Sequence, residues 1–71
     1  MRLTAIFRKE EDMYVALCPE LDIASQGYTI EEAKRNLKEA ISLFLECASP
    51  EEIEQRFSED VYVSSVEVEV V

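Results

Sequence analysis

The run Cys18-Pro19-Glu20-Leu21-Asp22-Ile23-Ala24-Ser25-Gln26-Gly27-Tyr28-Thr29-Ile30-Glu31-Glu32-Ala33 carries a strand end, a corner and a helix start in unbroken succession. Pro19 has no N–H to give a β-ladder, so a strand entering at Cys18 ends there or follows a sheet edge. Gly27 permits a positive φ at the next corner. Thr29 and Glu32 form the pattern of a capping box. The hydroxyl accepts from the third helical N–H, and the carboxylate reaches back to the Thr29 amide. A helix is therefore predicted to begin at Ile30.

Downstream, Ile30, Ala33, Leu37, Ala40, Ile41, Phe44 and Ala48 fall within a wedge of roughly 100° when each residue advances by 100°. Leu45 lies just outside it. This periodicity predicts a helix over Ile30–Cys47 that covers one side of a sheet. Glu31, Arg35, Glu39 and Glu46 point the other way, with Glu31/Arg35 and Arg35/Glu39 as opposite charges four apart. Ser49-Pro50-Glu51-Glu52 repeats the start grammar, and a short helix to about Phe57 is expected, anchored by Ile53 and Phe57.

Upstream, residues 2–9 alternate, with Leu3, Ala5 and Phe7 on one face, and read as a strand. Glu10-Glu11-Asp12 is a charged turn. Met13–Cys18 alternates again and completes a hairpin, whose loop is expected to hold three to five residues because it lacks Asn-Gly or Gly-Gly. Residues 23–26 read as a third, weaker strand. In the tail, Val61 and Val63 sit at odd positions and Val66, Val68 and Val70 at even ones, so a bend at Ser64-Ser65 is needed to restore one apolar face. Residues 66–70 then read as an alternating edge strand with Glu67 and Glu69 outside.

With Asn36-Leu37-Lys38-Glu39-Ala40-Ile41, the stretch of residues 14–46 resembles the HicB antitoxin family. Members carry a tyrosine-valine strand, a Cys-Pro-Glu/Asp-Leu turn, a Ser-Gln-Gly-x-Thr-x-Glu-Glu-Ala helix start and an Asn-Leu-x-Glu-Ala helix. About half the chain is covered, and Pro19, Gly27, Thr29 and Glu32 are its structural signature. The resemblance implies a fold like a truncated ribonuclease H and a role in neutralising a small, basic, mRNA-cleaving toxin of the HicA type. Two departures stand out. Asp22-Ile23-Ala24 replaces the common Pro-Gly-Cys loop, and the sequence reaches Val71 without the DNA-binding tail of many members. A short form that is not itself a repressor is expected.

The chain has 71 residues, enough for one domain spanning 1–71 and a small core. A homo-oligomer, a dimer or higher, is the expected remedy, formed through the 66–71 strand with Val66, Val68 and Val70 at the interface. Seven Lys and Arg against sixteen Asp and Glu give a formal net charge of −9, which repels phosphate backbones and favours a cationic partner. Direct nucleic-acid binding is not expected. No apolar run reaches the roughly twenty residues of a membrane span. No signal peptide precedes Met1-Arg2-Leu3, and two cysteines make no disulfide framework, so a cytoplasmic location is expected.

The sequence contains no histidine, which removes imidazole acid–base chemistry, Ser-His and Cys-His pairs and most transition-metal sites from these residues. Cys18 and Cys47 lack CxxC spacing and read as buried small hydrophobes. The first strand holds no acidic residue mid-strand for a two-metal nuclease centre. No catalytic, metal or cofactor site is expected, and the protein is read as no enzyme. Lys34, Arg35 and Lys38 read as helix-surface ion-pair partners, and the three tyrosines lie too far apart for a base-stacking platform. The carboxylates of Glu10, Glu11, Asp12, Glu67 and Glu69 serve either as solvated charge or as the face that meets a basic partner.

The expected fold is α+β: a three-stranded antiparallel meander, a long helix, a short helix and a final edge strand, in the order β-β-β-α-α-β. The expected function is that of an antitoxin-type protein that binds and occludes a HicA-like toxin. The alternative is a homo-oligomeric module, without a toxin partner, that binds a small ligand or another protein.

Overall fold

The computed structural model describes residues 1–70. Three strands, β1 (Ile6–Glu10), β2 (Met13–Cys18) and β3 (Ile23–Gly27), form an antiparallel meander in the order β1-β2-β3. Two helices follow, α1 (Ile30–Cys47) and α2 (Pro50–Arg56), and the architecture is α+β.

Register explains why β1 is shorter than the alternation of residues 2–9 suggests. Ile6 lies opposite Leu17 and Phe7 opposite Ala16, so Thr4 falls opposite Pro19, which has no N–H to offer. The ladder cannot continue. The Thr4 amide instead donates to both carboxylate oxygens of Glu20 at 3.0 Å, and its hydroxyl donates to Oε2 at 2.6 Å.

The hairpin loop is also tighter than expected. Glu10 pairs with Met13, leaving only Glu11 and Asp12 in the turn, with Glu11 at φ 54°. The register that puts Phe7 beside Ala16 on the covered face dictates this length, since a slip of one residue would turn every side chain to the wrong side. A glutamate bears the left-handed backbone that glycine or asparagine usually takes.

Helix α1 packs on β3 and next on β2. Ala16, Cys18, Leu21, Ala33 and Leu37 are buried between the layers. Leu3, Phe7, Tyr14, Ile23, Ile41, Phe44 and Phe57 are half-buried around them. On the opposite face, Ile6 and Arg8 are exposed and Met13, Val15 and Leu17 are half-buried. The largest fully buried side chains are Leu21 and Cys18, so this is a small core. Cys18 meets its expectation, whereas Cys47, the last residue of α1, is exposed.

Gly27 keeps a negative φ, contrary to the expected positive one. It is required for another reason: a Cβ there would lie 2.6 Å from the Ala33 backbone nitrogen and 2.9 Å from the Glu32 carbonyl carbon. The first turn of α1 rests directly on the β3 backbone, and only a hydrogen fits between them. Thr29 caps α1, its hydroxyl accepting from the Glu32 amide at 3.0 Å. The Glu32 carboxylate reaches one residue further back than a capping box requires, accepting from the Tyr28 amide at 3.1 Å. The full box forms at α2, where the Ser49 hydroxyl and the Glu52 carboxylate each accept from the other's amide.

The expected final strand is absent from the described residues. Residues 61–70 run without strand pairing, and Val71, part of the expected interface strand, lies outside the described residues. Val66, Val68 and Val70 are 82%, 73% and 95% exposed. The radius of gyration is 14.2 Å and the long dimension 48 Å, against about 11 Å expected for the radius of a compact chain of this length. The valine-rich tail adds to the length of the molecule and has no strand beside it.

Candidate functional site

The Pro19–Asp22 turn is the junction on which the body closes. Glu20 uses its carboxylate to hold the segment before β1, and its carbonyl accepts from the Ser58 amide at 2.8 Å, where the tail begins. Arg56, at the end of α2, donates from Nε to the Leu21 carbonyl at 2.9 Å and from an Nη to the Asp22 carbonyl at 3.1 Å. Its guanidinium also lies 5.4 Å from the centre of the Phe44 ring. Asp22 itself sits at φ 53°. Neither Glu20 nor Arg56 announces this role in the sequence, although a carboxylate directly after a strand-ending proline is placed to catch an unpaired amide of the neighbouring strand.

The hydrogen bonds from Thr4 hold the Glu20 carboxyl below its ordinary pKa of 4.5. Burial pushes the Cys18 thiol above its ordinary value, and the Glu20 charge adds to the effect. The thiol stays protonated and points at Glu20 Oε1, 3.6 Å away. This is an assembled polar joint with its hydrogen bonds satisfied. The carboxylates elsewhere are dispersed. Among the described residues, no three Cys, Asp or Glu side chains converge as a metal-binding group would.

The two acidic regions expected to meet a partner are separate. Glu10, Glu11 and Asp12 are exposed at the hairpin tip, at the far end of β1 from the Thr4–Glu20 joint. Glu67 and Glu69 are exposed on the tail, which is rooted at that joint. Arg8 and Glu10 make the one salt bridge among the described residues, 3.1 Å apart and open to water. The expected Glu31–Arg35 and Arg35–Glu39 pairs do not form. Holding two long exposed side chains in one geometry offsets most of the attraction between them.

The flank of α1 left bare beside residues 1–5 is apolar. Leu3, Ala5, Leu37, Ile41 and Leu45 line an open cleft of about 290 Å³, and Lys34 and Lys38 stand in its wall. From sequence alone both lysines read as helix-surface ion-pair partners. Their positions i−3 and i+1 from Leu37, beside the apolar stripe, are the signal that they border the uncovered flank.

The whole defines a small sheet-and-helix module with two unpaired sheet edges, an apolar cleft on the β1 side and a free valine-rich tail. A UPF0150 protein of Helicobacter pylori (strain J99) is 35% identical over 69 residues, covering 96% of each chain. A second, from Synechocystis, is 54% identical over 46 residues, 62% of this chain and 64% of the relative. The chain belongs to the UPF0150 family. No family model matches it, and no solved structure matches at a significant level. No helix among the described residues is long and apolar enough to cross a membrane.

Proposed function

We propose that this protein is an antitoxin-type inhibitor of the HicB kind, non-enzymatic, that binds and occludes a small basic mRNA-cleaving toxin. One observation carries the reading. The HicB-like stretch of residues 14–46 coincides with the working frame of the body: β2, the Glu20 junction, β3, the Gly27 contact and the capped α1. The chain's membership of the UPF0150 family agrees with it.

The charge of −9 supports a cationic partner. Glu10, Glu11 and Asp12 at the hairpin tip offer an acidic surface rooted on the folded body, and Glu67 and Glu69 add to the field. Such charges speed association more than they tighten the complex. A stable interface also buries on the order of 1,200–2,000 Å², so an apolar region must join them.

The test uses the purified chain and a small basic ribonuclease of the HicA type, sought among the products of the adjoining genes. The expected result is a stoichiometric complex in which mRNA cleavage stops, with association that slows as salt rises. Glu11→Lys with Asp12→Lys is expected to slow association by about tenfold. A toxin that remains active in excess of this chain overturns the reading and leaves the module without a toxin partner.

A further inference from the structure

We propose that the cleft between residues 1–5 and α1 binds a small anionic amphiphile, a medium-chain carboxylate. Its alkyl tail lies along Leu37, Ile41 and Leu45, and its head group meets Lys34 and Lys38. The proposal is independent of the toxin reading.

The lining of the cleft is ordered along the helix. Leu37, Ile41 and Leu45 follow one another at intervals of four on α1 and form an apolar row, to which the segment before β1 adds Leu3. Lys34, Lys38 and Ser42 form a second row beside it, again at intervals of four. Positive charge is thus confined to one end of the cleft. At the other end the wall holds only the small hydroxyl of Ser42. From Lys34 to Leu45 the helix advances about 16 Å at 1.5 Å per residue. A ligand with one charged head and one extended apolar tail has the same polarity as this surface.

Charge fixes the sign of the head. No Asp or Glu lines the cleft, although the chain as a whole carries a net charge of −9. Lys34 and Lys38 are like charges four apart, an arrangement that works against the helix bearing it. Neither is neutralised, since Arg8–Glu10 is the one salt bridge among the described residues. A carboxylate placed between the two ammonium groups relieves their repulsion and accepts charge-assisted hydrogen bonds from both. A cationic head finds no counter-charge there.

Size and net charge narrow the source. A volume of about 290 Å³ lies at the small end of ligand sites, which suits a single alkyl chain and not a two-chain lipid. An anionic bilayer surface is repelled by the charge of −9. The ligand is therefore a free, water-borne carboxylate.

Isothermal titration calorimetry of the full chain with decanoate, below the concentration at which it forms micelles, should show saturable one-to-one binding. Octanoate has two methylenes fewer to bury and should bind about tenfold more weakly. Lys34→Ser with Lys38→Ser should weaken decanoate binding by about tenfold. Both lysines are exposed, so this variant should keep the denaturation midpoint of the parent chain. Amide NMR shifts on adding decanoate should centre on residues 1–5 and 34–45. Absence of saturable binding, equal affinity for the two acids, indifference to the lysine substitutions, or shifts centred elsewhere would each overturn the proposal. A cleft that residues 66–70 of the chain already fill, and from which decanoate does not displace them, would overturn it as well.

Discussion

The folded body and the tail are built from similar material and differ in what surrounds them. Met13–Cys18 and residues 66–70 are both short stretches with an apolar side chain at every second position; the positions between are also apolar in Met13–Cys18 and are glutamates in 66–70. The first is a central strand with a neighbour on each side and Ala16 and Cys18 buried; the second is unpaired and exposed. The difference teaches that alternation specifies a face to be buried, whereas a strand also needs a partner for its amides and carbonyls. In the body those partners come from the register of the meander, and at its margins from side chains such as Glu20 and Arg56.

The sharpest way to break the contrast is to force the body apart at Gly27. Gly27→Val places carbon atoms against the backbone of Ala33 and Glu32, which cannot yield as a flexible side chain would. A loss of about 3 kcal/mol or more is expected, read as a lower midpoint in chemical denaturation. An unchanged midpoint would mean that β3 and α1 do not approach so closely.

A smaller effect is expected at the joint between the two regions. Glu20→Ala removes the acceptor for both the amide and the hydroxyl of Thr4, and should cost about 2 kcal/mol. The same carboxylate makes the joint sensitive to acid. Its pKa is lowered in the fold, so its contribution is fully present above the ordinary value of 4.5 and is lost as pH falls through the lowered one. Glu20→Ala should therefore flatten this part of the acid dependence of the midpoint. A variant that loses stability equally at every pH would show that the lowered pKa plays no part.

The mildest change sharpens the comparison within the body. Thr29→Ala removes the cap of α1 and should cost about 1 kcal/mol, without altering decanoate binding, because Thr29 is no part of the cleft. Denaturation and calorimetry on the same sample check both halves of that expectation.

The sequence was most legible where local chemistry decides the outcome. The end of β2 before Pro19, the span of α1 and the capped start of α2 follow from side chains acting within a few residues. It was least legible where a distant neighbour decides. The loss of residues 2–5 from β1 depends on Thr4 falling opposite Pro19. The two-residue turn at Glu11-Asp12 depends on which faces of β1 and β2 are covered, and it overrides the ordinary preference for glycine. Gly27 is required for the space it leaves empty beside Ala33 and not for a positive φ, a reason that only the packing of α1 on β3 shows. Lys34 and Lys38 could be placed on the helix surface from sequence, but the bare flank they border exists only because α1 sits over β3 and β2.

Glu20 has a consequence for how the chain is threaded. Its side chain holds the residue at which the body begins, Thr4, and its carbonyl holds the one at which the body ends, Ser58. The beginning and end of the body are thus neighbours in space. A short linker between them, with new termini opened in the strained turn at Glu11-Asp12, would rearrange the order of the chain while keeping every layer of the fold in place.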